Sequence, residues 1–164
     1  MGVCGCGKTT VGELLATQTG GIFIDGDSLH PPENVAKMST GSPLNDDDRA
    51  GWLAVIRTKA AEHPGPWPLL IACSALKRKY RDLLCQGKRG EKFYFIHLSG
   101  STSLIKERME KRTDHFMKAG MLKSQFSDLE TLGEDEQGCT VDITSSPEEV
   151  VRKIRSSMPL IESK

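Results

Sequence analysis

Gly2-Val3-Cys4-Gly5-Cys6-Gly7-Lys8-Thr9 is a complete G-x-x-x-x-G-K-[ST] loop, and it opens at the second residue of the chain. The spacing has a mechanism. Glycines let successive backbone N–H groups turn inward around phosphate oxygens, and the helix that follows adds its positive N-terminal end. In such a loop the run Gly2 to Thr9 cradles a nucleoside triphosphate. Lys8 reaches the β- and γ-phosphates, and the Thr9 hydroxyl ligates Mg²⁺. The helix is present: Val11, Leu14 and Leu15 recur at helical spacing before Gly20-Gly21 closes the run. Cys4 and Cys6 form a C-x-C pair, but a zinc site needs a second pair, and both sit at loop positions facing phosphate.

Beyond the loop, strand and helix patterns alternate. Residues 21–25 read as a short buried strand, and 26–43, rich in Gly, Pro and Ser, as a loop. Asn45 caps a helix whose first turn is Asp46-Asp47-Asp48, acids at the positive end, with Trp52, Leu53, Ile56 and Ala60 as its apolar face. Leu69 to Cys73 is a continuous apolar run, the pattern of a parallel strand buried on both faces. Helices are expected over 75–86, 101–112, 124–132 and 147–158, and strands over 93–98 and 140–143. This order predicts an α/β fold with a parallel sheet in one domain, residues 1–164. The charged stretch 106–126 adjoins no strand and reads as a mobile lid.

The chain carries 22 basic and 22 acidic residues, so no global field draws it to nucleic acid or a membrane surface. No apolar run approaches the roughly 20 residues of a membrane span, and no signal-peptide pattern opens the sequence. Five cysteines without a framework spacing fit a reducing compartment, so the expected location is cytoplasmic.

Three clusters carry candidate chemistry. Asp25, Asp27 and His30 follow the first strand, and ligands of open α/β sheets bind beyond the carboxyl ends of strands. Asp27 there can accept a proton from an attacking hydroxyl, or it can cap its own turn. Lys77 and Arg81 lie one helical turn apart after the Leu69–Cys73 run, where an anion offsets two cations at a helix start. Arg108 and Arg112 share a face ahead of Asp114-His115-Phe116, and arginines of a lid can stabilise a transferring phosphoryl group; otherwise they form a solvated face. No apolar strand ends in the acid that many NTPases use to hold Mg²⁺, since Leu69–Cys73 is followed by Ser74. That favours a small-molecule kinase over a motor or switch protein.

The block from His30-Pro31-Pro32-Glu33-Asn34 through Gly41-Ser42-Pro43-Leu44-Asn45-Asp46-Asp47-Asp48-Arg49 to Trp52-Leu53 resembles the gluconokinase signature almost position for position. Cys73 to Leu83 and His115-Phe116, Met121-Leu122 and Ser124-Gln125-Phe126 match later blocks of the same family. The resemblance implies a P-loop kinase-type three-layer sandwich with a five-stranded parallel sheet, a substrate region at about 27–62 and a lid at about 106–126. It implies transfer of the γ-phosphoryl of ATP to the 6-hydroxyl of D-gluconate with Mg²⁺, in a family that commonly forms dimers. Lys8, Asp27, Arg108 and Arg112 become the catalytic set. Asp27, His30, Arg49, Lys77, Arg81 and His115 become the substrate set, with the choice of Lys77 or Arg81 for the carboxylate open. Two other readings stand beside it: a kinase of another small anion such as a shikimate-type acid, and a non-catalytic nucleotide-binding remnant.

Cys4 and Cys6 stand where the family usually has serines, and residues 127–132 depart from its pattern of Glu and Pro. The family also carries an apolar strand directly before the loop, between the second and third apolar runs. Here the first, central strand is missing from the sequence, which predicts a shortened chain that is poorly stable or inactive.

Overall fold

The computed structural model describes residues 1–65, 68–86, 93–111 and 119–158. Gly7, in the left-handed conformation at φ 95°, starts α1 (Lys8–Thr19), and Gly20, at φ 67°, ends it. β1 (Ile22–Asp25) runs into a tight 3₁₀ turn over Gly26–Leu29, then α2 (Pro32–Ser39) and α3 (Asp46–Ala61). β2 (Leu69–Ala72), α4 (Arg78–Cys85), β3 (Phe95–Ser99), α5 (Thr102–Glu110), α6 (Ala119–Asp128), β4 (Gly138–Asp142) and α7 (Pro147–Ser157) follow.

Most expected elements are present, and the differences have local causes. Asn45 caps α3 through a reciprocal pair of bonds with Asp48, each 2.8 Å. Residues 32–39 are helical rather than loop. Pro32 supplies the preset φ of a first helical position, and buried Asn34 donates to the Asp48 carbonyl at 2.8 Å, fixing α2 against α3. α4 begins at Arg78, later than expected, because Ala75 turns the chain at φ 43°, a conformation that costs an L-residue energy. α6 starts at Ala119, earlier than expected.

The strands form two parallel pairs, β1 with β2 and β3 with β4. Side chains alternate across them. Leu70, Ile96 and Leu98 join a core with Val11 and Leu15 of α1 and Val150, Val151 and Ile154 of α7. Ile71 and Phe95 point the other way, into a second core built on Trp52, Leu53, Ile56, Tyr80 and Leu84 of α3 and α4. Helices therefore cover both faces of a central strand layer, the three-layer α/β arrangement expected.

Between β2 and β3 the layer is held by the first two residues. The Met1 amine donates to the Ile96 carbonyl at 2.5 Å, and the Met1 carbonyl accepts from Leu98 N–H at 3.0 Å. Gly2 N–H donates to the Ser74 carbonyl at 3.1 Å. Four strands are described, against the five that the resemblance implies. Alongside Met1 lies an open pocket whose mainly apolar lining includes Val11, Leu15, Phe23, Leu70 and Ile96. Burial pushes the Met1 amine down to about 6.

Candidate active site

The carboxyl ends of β1 and β2, the phosphate loop, α3 and α6 converge on a cleft lined by Cys4, Lys8, Asp27, His30, Arg49 and Gln125 among others. The phosphate loop, the turn after β1 and α3 thus present a loop lysine, a carboxylate, an imidazole and a guanidinium to one space. That is the inventory of a phosphoryl donor site joined to an anionic acceptor site.

The loop has the expected build. Gly2 at φ 137° passes so close to β3 that a Cβ there would lie 2.9 Å from the Leu98 carbonyl oxygen. Lys8 Nζ is folded back on the Gly2 and Val3 carbonyls, 3.0 Å from each. The two cysteines part company: Cys4 lines the cavity, whereas Cys6 is buried in the core below the loop. Cys6 therefore does not face phosphate, contrary to the sequence expectation.

Asp25 corrects a second expectation. β1 does end in an acid beside the loop, and Asp25 Oδ2 accepts from Thr9 Oγ1 at 3.3 Å. Asp25 Oδ1 also accepts from the Asp27 N–H at 3.0 Å. The turn-capping role considered for Asp27 thus belongs to Asp25, and the Asp27 side chain stays 71 % exposed at the cavity. Thr9 and Asp25 together suit Mg²⁺, a hard cation that takes few protein oxygens and completes its shell with phosphate and water. No group of three His, Cys, Asp or Glu side chains that could hold a metal ion occurs among the described residues.

His30 stacks on Trp52 with ring centroids 4.1 Å apart, and its Nε2 lies 4.0 Å from Asp27. Burial lowers its pKa. Arg49 is 7 % exposed and pairs with neither Asp46 nor Asp48. Its Nε donates to the Leu44 carbonyl and its Nη1 to Ser74 Oγ, both at 3.4 Å, and its guanidinium lies 5.6 Å from the Tyr80 ring centre. These long bonds hold a buried cation at the cavity wall with capacity to meet an anion. Asp48 instead pairs with Lys37 at 2.5 Å, and Asp46 gathers Lys77, Lys79 and the Tyr80 hydroxyl. Bonds from Lys79 and Tyr80 hold the Asp46 carboxyl well below the usual range.

Arg81 is engaged within the protein. It is 1 % exposed and grips Glu136 through two bonds of 2.5 and 2.9 Å. Its Nη1 donates to the Ala75, Leu76 and Glu130 carbonyls, and its Nη2 to the Thr131 carbonyl. Arg81 locks the strained Ala75 turn and the chain after α6 onto α4. Lys77 precedes α4 rather than sharing a face with Arg81, and bridges Asp46 at 3.3 Å and Asp128 at 3.2 Å. Arg108 Nη2 donates to the Ile143 carbonyl at 2.6 Å beyond the end of β4. Arg112 and His115 lie outside the described residues.

A family model described as shikimate kinase matches residues 4–159. The gluconokinase of Gluconobacter oxydans is 44% identical over 157 residues, spanning 94% of this chain and 86% of that protein. The chain belongs to the gluconokinase family. The thermoresistant gluconokinase of Escherichia coli is also 44% identical, over 92% of this chain and 86% of its own length. Among solved structures, a gluconokinase from Sinorhizobium meliloti superposes with a TM-score of 0.83 at 45% identity, covering 96% of this chain and 87% of that one. A sugar kinase from Janibacter reaches a TM-score of 0.87 at 42% identity, with 95% and 90% covered. Gluconokinase-family membership thus accords with the kinase fold and with the joining of phosphate loop and acceptor pocket. No described helix is long and apolar enough to cross a membrane.

Proposed function

We propose that this chain phosphorylates D-gluconate at its 6-hydroxyl with MgATP, giving 6-phosphogluconate and ADP. The observation that carries the reading is the shared cavity of Lys8, Asp27, His30 and Arg49. Gluconate is an anion with a primary hydroxyl at the far end, so its site needs a cation for one end and a base for the other. Arg49 takes the carboxylate end. Asp27, exposed at the cavity, accepts the proton of the 6-hydroxyl as that oxygen attacks the γ-phosphorus. Neutral His30, held by Trp52, orients Asp27 or a sugar hydroxyl.

On the donor side, Lys8 leaves the Gly2 and Val3 carbonyls for the β/γ-phosphates, and loop N–H groups other than those of Gly2, Cys4 and Cys6, which bond within the protein, take the remaining oxygens. Thr9, backed by Asp25, would hold Mg²⁺, which supplies charge neutralisation between the β- and γ-phosphates. Arg108 exchanges the Ile143 carbonyl for a phosphoryl oxygen, with Arg112 and His115 as further contacts to the bound reactants. The working location is the cytoplasm and the assembly a homodimer.

The test is ADP release from MgATP by the purified chain with and without D-gluconate, with ³¹P NMR of the product. Gluconate-dependent turnover and a phosphomonoester at the 6-position are expected. Equal turnover with shikimate, or none with any sugar acid, would sink the proposal.

A further inference from the structure

Gln125, on α6, is absent from the catalytic and substrate sets read from the sequence, yet it touches the phosphate loop directly. The Cys4 N–H donates to Gln125 Oε1 at 2.6 Å across 121 residues of sequence. Cys4 is the third residue of the loop, and both it and Gln125 line the acceptor cavity, with Ser124 beside them. The contact therefore lies on the side of the loop from which an acceptor hydroxyl must approach the γ-phosphoryl group.

The chemistry of the side chain fits that place. A backbone N–H can be met only by an acceptor, which fixes the carbonyl oxygen of the carboxamide toward the loop and turns its NH₂ away. A carboxylate would accept the same bond but would set a negative charge beside the incoming triphosphate. A carboxamide is neutral. Gln125 thus fastens one wall of the acceptor pocket to the loop without repelling the donor.

We propose that Gln125 is a positioning residue for phosphoryl transfer: it holds α6 and the acceptor pocket in register with the phosphate loop. In-line transfer depends on the distance between acceptor oxygen and γ-phosphorus, and a misplacement of about 1 Å can cost on the order of 100-fold in rate. The short bond from the Cys4 N–H to Gln125 Oε1 ties the loop backbone to the pocket wall across which that distance is measured. The kinetic part of this proposal rests on the gluconate reading.

Two variants separate the roles. Gln125→Met keeps the length and removes the acceptor. Gln125→Glu keeps the acceptor and adds charge. Gluconate-dependent kcat, both KM values, gluconate-independent MgATP hydrolysis and deuterium exchange of the loop amides are measured on each, with melting curves to confirm folding. For Gln125→Met the expected result is a kcat lower by about 10- to 100-fold. KM for MgATP stays within about 2-fold, uncoupled hydrolysis takes a larger share, and the loop amides exchange faster. For Gln125→Glu the loop stays protected while KM for MgATP rises.

Wild-type kcat in a folded Gln125→Met protein overturns the proposal, as does a loss confined to KM for MgATP. Should the unaltered chain show no gluconate-dependent turnover, the gluconate reading falls instead. Loop exchange then decides Gln125 by itself, and unchanged exchange in Gln125→Met overturns the tie.

Discussion

The phosphate loop meets the protein on two sides, and the two are secured very differently. On the cavity side it is tied by side chains: Lys8 to two carbonyls, Cys4 N–H to Gln125, and Thr9 to Asp25. On the sheet side, three backbone bonds from Met1 and Gly2 join two strand pairs that share no ladder with each other. Catalytic groups can be arranged by a few polar contacts in a rim. A sheet centre is stabilised by apolar burial and by continuous backbone pairing, and here the Met1 and Gly2 bonds supply the pairing between the two strand pairs. Activity should therefore fail at the rim without unfolding, and stability should fail or improve at the sheet without touching the chemistry.

The largest effect is expected from filling the apolar pocket beside Met1. An engineered extension of five apolar, β-branched residues before Met1 is expected to run parallel to β2 and β3. Each buried side chain contributes roughly 1.5–3 kcal/mol, so a gain of several kcal/mol should appear in urea unfolding. An extension of equal length in Gly and Ser should give none. Equal stability of the two would show that the slot does not take a strand.

At the rim, Asp27→Asn should lower gluconate-dependent kcat by about 10²- to 10⁴-fold, the usual range for losing a general base. KM for MgATP and the melting midpoint should stay near wild type, since Asp27 is exposed and caps nothing. A large loss of stability would place Asp27 in the scaffold and break the division. Arg81→Ala should do the reverse. It strands buried Glu136 and frees the Ala75 turn, so a loss of about 3–5 kcal/mol is expected. Residual folded protein should keep a near-normal KM for gluconate; a selective rise in that KM would keep Arg81 in the substrate set.

What the sequence revealed follows the same division. The phosphate loop, the Asn45 cap with its three acids and the apolar strand runs are local signals, and each formed where expected. The clustering of Lys8, Asp27, His30 and Arg49 was legible through the family block, which overrode a salt bridge from Arg49 to a neighbouring acid. The bond of Arg81 to Glu136 was not legible, because its partner lies 55 residues away and leaves no mark at local spacing. Gln125 was hidden for the same reason. Asp25 was among the candidates, yet it was not read as the acid that ends an apolar strand, although that strand was expected to end on it and its partner Thr9 closes the loop motif. α2 was missed because its Pro-rich start reads as a loop, while the buried bond of Asn34 to Asp48 that stabilises it is tertiary.

The smallest effect joins both regions through pH. Burial lowers the Met1 amine from its ordinary 8 to about 6. Between these values the unfolded chain binds more protons than the folded one, so stability rises with pH through the window and levels off above 8. The full span is about 2–3 kcal/mol at 1.36 kcal/mol per unit. Burial also lowers His30 and His97, which pull the same way but only below about 6.5. The slope between pH 7 and 8 therefore reports the amine. On the alkaline side, burial raises the Cys73 thiol to about 11, so the unfolded chain loses that proton first and stability declines again above about 9. The apolar extension replaces the amine with an amide that cannot titrate. Its stability curve should lose the rise between pH 7 and 8 and keep the alkaline decline. If the rise persists in the extended chain, the proton belongs to a group other than the Met1 amine.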